Sequence, residues 1–216
     1  MNGGLGLKAP PAARMAKTKA QLNALADPIS AGQPEALPWF LYHRKVYTDN
    51  TTTVLQFFDA IETNKGIGNM QAASALPSPQ YFEILSFGLD ALRATTAAGA
   101  AANIGAISDV QRLLHTSECF WTFTYADKNF GPFAGSLLHP SGGVQGFGYG
   151  TTTADTFSPQ YAHNGYPDGG HPVNGAIVLK PKVQFTLTIQ WPTAVDLTAD
   201  MNLRAWMWGI LHRKVL

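Results

Sequence analysis

The residues best suited to chemistry are His163, Asp168 and His171, which share one glycine-rich stretch, HNGYPDGGH. Two imidazoles and a carboxylate are the ligand set of a facial metal triad. Their spacing, however, matches no strong zinc pattern, and Asn164, Gly165, Pro167 and Gly169 are ordinary turn formers. The stretch therefore reads as a surface loop, and no metal or other cofactor is expected. A cupin-like barrel would need closely spaced histidines and a nearby glutamate on barrel strands, an arrangement this chain lacks. Nucleophilic chemistry has no better footing. There is no Gly-x-Ser-x-Gly elbow, no Gly-Lys-Ser/Thr phosphate loop and no dinucleotide fingerprint. Gly146-Phe147-Gly148-Tyr149-Gly150 alternates glycine with aromatics, which fits a packed turn better than a phosphate cradle. Glu83 and Glu118 each fall in an expected strand, and nothing in the spacing pairs them as a glycosidase couple. The single cysteine, Cys119, lies in Cys119-Phe120-Trp121-Thr122-Phe123 and reads as a buried, inert thiol, because reactive thiols need exposure and an electropositive setting. The chain is accordingly expected not to be an enzyme and to take no small-molecule substrate.

The elements that would carry any function are strands. Val183, Phe185, Leu187, Ile189 and Trp191 alternate with Gln184, Thr186, Thr188 and Gln190, the period of a strand with one buried and one wetter face. Pro192 ends the run. After the turn residues 193–200 comes a second apolar strand, Leu203 to Val215, with bulk on both faces. Leu203, Met207 and Leu211 lie on one side, and Trp206, Trp208 and Ile210 on the other. A strand apolar on both faces must be covered on both, by its own domain or by another subunit.

Composition points the same way. The chain has 216 residues, enough for one domain with an arm, and 45% of them are apolar. Charged residues make up 13% with a net charge of +1, about half the usual fraction of roughly 25%. A surface so poor in charge suits a protein largely covered by copies of itself or by other subunits. No run reaches the length of a membrane-spanning helix, and no signal peptide is evident.

Residues 1–38 differ from the rest, being rich in Gly, Pro and Ala and free of aromatics. They read as a flexible arm whose early charges, Lys8, Arg14, Lys17 and Lys19, are all basic. These charges give weak attraction to phosphate, in nucleic acid or at a membrane surface, without sequence readout. The folded domain is expected over 39–216. Strands are predicted at 39–47, 51–58, 80–89 and 118–125, with Cys119, Trp121, Phe123 and Tyr125 on one face. Ala94 to Ala106 reads as a low-complexity excursion, and Ser108 to Gln111 as the cap of a short helix running to about His115. From Asp127 to Gly175 the glycines predict loops, with short strands at 135–138 and 145–149. About eight strands with long connections and little helix predict an all-β fold, a single jelly-roll β-sandwich with long loops and a flexible N-terminal arm.

Placed in this order, the chain resembles the single-jelly-roll major capsid proteins of tailless icosahedral phages that enclose an internal membrane. The features that carry the resemblance are the arm before Trp39, the segment Asn69 to Phe82 leading into a strand, and the terminal strand pair 183–191 and 203–215. The resemblance implies a structural coat protein located in the virion. Its partners would be other copies and other capsid proteins, with the arm touching nucleic acid or the internal membrane. Trp39, Trp206 and Trp208 are then the candidate interface anchors, since aromatics are enriched at contact centres. Two other readings remain open: a carbohydrate-binding sandwich using Tyr149, Tyr161 and Tyr166, and a metal-dependent enzyme using the His163/Asp168/His171 loop.

Overall fold

A computed structural model describes residues 34–93, 109–110, 112–138 and 171–214. The eight strands among them are β1 (Pro34–Tyr47), β2 (Val54–Phe57), β3 (Tyr81–Arg93), β4 (Phe120–Tyr125), β5 (Lys128–Ala134), β6 (His171–Leu179), β7 (Phe185–Gln190) and β8 (Met201–Lys214). They form two four-stranded antiparallel sheets, ordered β1-β8-β3-β6 and β2-β7-β4-β5. The pairing is nested: β1 with β8, β2 with β7, β3 with β6 and β4 with β5. The chain thus behaves as one long hairpin whose successive rungs are rolled into opposite sheets. The contacts of β8 with β3 and of β7 with β4 close the roll. This is the jelly roll, an all-β sandwich.

Alternation along the strands builds the core between the sheets. Phe185, Leu187 and Ile189 of β7 point inward beside Trp121 and Phe123 of β4. They meet Met201, Leu203, Ala205, Met207 and Leu211 of β8, all of them buried. Burying apolar surface of this kind contributes about 25 cal/mol per Å². At one end of the sandwich Tyr47 packs edge-on to Trp191, with ring centroids 4.8 Å apart. The Trp191 indole N–H donates to the Leu113 carbonyl at 2.9 Å. Cys119 is buried, and burial pushes its thiol above the ordinary range, as expected of an inert sulfur.

The edges of the first sheet are closed in a specific way. Arg44 N–H donates to the Ile67 carbonyl at 2.7 Å, and Asn69 N–H donates to the Tyr42 carbonyl at 3.2 Å. Tyr42 N–H donates to Asn69 Oδ1 at 2.9 Å, and Asn69 Nδ2–H donates to the Phe40 carbonyl at 2.6 Å. Even-numbered residues of β1 therefore turn their backbone groups away from β8, and residues 67–69 cover them from Phe40 to Arg44. Further upstream, the same parity puts Pro34 and Pro38 at outward-facing positions. Proline has no N–H to offer an incoming strand. The strap covers the edge from Phe40 to Arg44, and upstream Pro34 and Pro38 withhold two of the three outward donors.

Several expectations are corrected. β1 begins at Pro34, so residues 34–38 belong to the sheet and not to the arm; Lys8, Arg14, Lys17 and Lys19 lie outside the described residues. β2 spans only Val54–Phe57, because Phe58 adopts a left-handed φ of 66° that a continuing strand cannot accommodate. The stretch expected to be loop-dominated contains β5 and the start of β6. The expected strand at 135–138 is instead a short 3-10 turn, Gly135–Leu137. The helix expected near 108–115 is a π-helical turn, Arg112–Thr116. Asp109, read as part of its cap, is buried and accepts from the backbone N–H of Thr198 at 3.0 Å. The excursion 94–106 and the expected strand at 145–149 lie outside the described residues.

If proline guards the β1 edge, Pro38→Thr should fold normally yet associate through the restored donor. We expect an unchanged melting temperature together with light scattering that rises with concentration above that of the parent chain.

Candidate subunit interface

The outer faces of the two sheets differ in kind. On the second sheet, cross-strand pairs Thr122 with Thr188 and Thr124 with Thr186 leave hydroxyls outward, flanked by Gln56 and Gln190. Most of this face is hydroxyl and amide, with Val54 and Phe120 flanking Gln190 as its apolar members. On the first sheet four central outward positions are aromatic, with Arg44, Arg204 and Asp90 beside them. Phe40 of β1 stands across from Trp208 of β8, and Tyr42 across from Trp206. Phe40 packs on Trp208 with centroids 4.5 Å apart and meets Trp206 nearly edge-on at 5.8 Å. Ile210 extends the row.

β3 supplies the floor. Gly88 pairs with Trp206, and a Cβ at Gly88 would stand 2.0 Å from the indole ring. The indole thus lies flat on backbone that only glycine leaves open. Asp90 fixes its direction: Trp206 Nε1–H donates to Asp90 Oδ1 at 3.3 Å, and Arg204 Nε–H donates to Asp90 Oδ2 at 2.9 Å. An ionised acceptor makes such bonds stronger than neutral ones.

The sequence-derived anchors divide accordingly. Trp206 is 6% exposed and so is already buried within the single chain. It is the base of the cluster and presents little surface of its own. Trp208 is half-buried and offers surface next to Phe40. Trp39 is 40% exposed, but its parity places it with Leu41 and His43 on the other side of β1, opposite Gly209. The three tryptophans are not one patch. Phe40, which sequence reasoning passed over, joins the cluster; its neighbour Trp39 drew attention from it, although parity with Tyr42 was the available signal.

Of the residues named for the metal and carbohydrate readings, the structure describes His171. His171 opens β6 instead of lying in a loop, and its ring sits 5.5 Å from both Trp121 and Phe133. Burial lowers its pKa, while His163, Asp168, Tyr149, Tyr161 and Tyr166 lie outside the described residues. Among the described residues no group of three or more His, Cys, Asp or Glu is placed to hold a metal ion. Glu83 lies on β3 of the first sheet and Glu118 just before β4 of the second. No helix among the described residues is long and apolar enough to cross a membrane.

Comparison with protein-family models, with curated proteins and with solved structures finds no match.

The glycine floor makes a direct test. Gly88→Ala should force the Trp206 ring off its seat and cost about 1–3 kcal/mol, as overpacking does. Urea denaturation measures the loss, and a shifted tryptophan emission maximum should accompany it.

Proposed function

We propose that the chain is a structural coat protein whose jelly rolls assemble side by side into a closed icosahedral shell. The observation that supports this reading best is the unequal pair of outer faces. One is a hydroxyl-rich ladder, and the other is an aromatic surface with Phe40 and Trp208 still partly open. A jelly roll by itself also serves lectins and cupins, so the fold does not choose among functions. The aromatic cluster supports the coat reading, because obligate contacts are apolar at their centres. The low charge of the whole chain fits the same account.

The sealed edge matters to such an assembly. Strand addition propagates without limit, whereas contacts between faces and loops can close on themselves. Prolines and the strap on β1 favour the second route. The basic residues Lys8, Arg14, Lys17 and Lys19 suit contact with the nucleic acid or membrane enclosed by the shell. The likeness to coat proteins of internal-membrane phages belongs to this proposal, as does a place in the virion.

Sedimentation and electron microscopy of the full-length chain test the reading. Large regular particles or discrete oligomers are expected, and a monomer that persists at all concentrations would overturn it. Trp208→Ala should raise the concentration needed for assembly by about tenfold or more, equivalent to about 1.4 kcal/mol per contact. The same change should leave the circular dichroism spectrum intact, because Trp208 lies outside the core.

A further inference from the structure

His43 is fully buried on β1, and its polar contacts are unusual for a core position. Its Nδ1 accepts the backbone N–H of Phe58 at 2.7 Å. Nδ1 therefore carries no proton, and the neutral ring holds its proton on Nε2, which faces Glu62 Oε1 at 3.4 Å. Asp59 Oδ1 stands 3.5 Å from Nδ1, outside the present bond, and is held by Lys45 Nζ at 2.9 Å. The rings of Phe57 and Phe58 complete the surroundings, with centroids 6.4 and 6.3 Å away. On the β8 side His43 meets only Ala205 in register. The charged groups acting on the ring are thus Lys45 from its own strand and Asp59 and Glu62 from the segment after β2.

That segment is the strap. Residues 59–69 leave Phe58, run past Asp59 and Glu62, and return to bond the outer edge of β1 through Ile67 and Asn69. His43 fastens the strap at its origin, and the edge bonds fasten it at its end. The two attachments serve one strand from its two sides.

We propose that His43 is a proton-operated latch: a proton taken from solvent at Nδ1 expels the Phe58 amide, passes the ring's bond to Asp59 and loosens the strap 59–69 from the edge of β1. Once both ring nitrogens are donors, the Phe58 N–H faces another N–H in a buried site. A buried donor without a partner costs about 1–3 kcal/mol. Asp59 accepts the new N–H, which weakens its hold on Lys45. The origin of the strap then loses the Phe58 bond and part of the Lys45–Asp59 pair, and keeps a ring bond to Asp59 in a shifted position.

The direction with pH follows. Burial, aided by Lys45, holds the pKa of His43 below its ordinary 6.5 despite the two carboxylates. The unfolded chain binds the proton more readily than the folded one. The stabilisation is complete above the ordinary value and is lost as pH falls from there through the lower folded value. Burial lowers His171 and His212 as well, so overall acid sensitivity does not single out the latch. Local opening of the strap does.

Amide hydrogen exchange of the full-length chain, corrected for intrinsic rates and compared at about pH 8 and about pH 5, reads that opening. Protection of Tyr42 and Arg44 should fall about tenfold or more at the lower pH, while that of Leu187 in β7 stays unchanged. His43→Asn keeps an acceptor near the Nδ1 position and cannot titrate, so its Arg44 protection should not respond to pH. Equal protection of Arg44 at both pH values in the parent chain overturns the latch, and so does an equal loss in the Asn variant. Should that variant not fold, the His43 ring titration followed by NMR in the parent chain must share its midpoint with the loss of Arg44 protection. Separate midpoints overturn it.

Discussion

A strand with a hydrogen-bonded neighbour on each side has no edge left to satisfy, only two faces. β8 is in that position, between β1 and β3, with an apolar inner face and an outer face that is apolar at Trp206, Trp208 and Ile210. The inner one is settled by the second sheet. The outer one is settled only in part, by folding Trp206 down onto Gly88 and steering its N–H to Asp90. Phe40 and Trp208 are stacked on that base and stay partly open. Much of the rest of the molecule can be understood from this one placement. Gly88 and Gly209 of adjacent strands stand where a Cβ would collide with an indole ring and with the Glu83 carbonyl, respectively. β8 and β3 are closely fitted to each other at both glycines.

The contrast with the second sheet shows that this is not a general property of the fold. β7 is equally central in its own sheet, yet its outward residues are Thr186, Thr188 and Gln190. Two central strands in one sandwich thus received opposite chemistry on their outer sides. Water can stand against threonine hydroxyls at little cost, whereas aromatic carbon exposed to it forgoes about 25 cal/mol per Å². The inequality is what distinguishes the aromatic side as a surface to be covered.

The sequence made the central strands plain and hid the marginal ones. β7 and β8 carry long alternating runs, and β4 shows Trp121, Phe123 and Tyr125 at strict period two, so their inner faces could be read directly. β5 contains Gly131-Pro132 and β6 contains Pro172 with Asn174-Gly175, all turn formers by local preference. Both are edge strands, where a missing donor costs no ladder bond. Tertiary pairing with β4 and β3 overrode the local signal. The end of β2 was hidden for another reason, since nothing in Phe58 as a residue type announces a left-handed φ. The aromatic site was half legible. Parity gave the outward side of β8, but the burial of Trp206 depends on a glycine in β3 more than a hundred positions away. The strap was not legible, because its bonds join residues 67–69 to a strand edge that only the folded sheet defines.

The strap and the aromatic side share a residue, and this ties the two ends of the structure together. Asn69 bonds the Phe40 carbonyl through Nδ2 and the Tyr42 amide through Oδ1. Phe40 is the residue that stacks on Trp208. A side-chain amide with fixed donor and acceptor ends can make both bonds only while β1 keeps its present spacing from residues 67–69. The backbone position of Phe40, and with it the outer cluster, is therefore held from the strand edge as well as from β8. Whatever loosens the strap also frees the carbonyl beneath Phe40, so the edge and the face of β1 are parts of one mechanical unit.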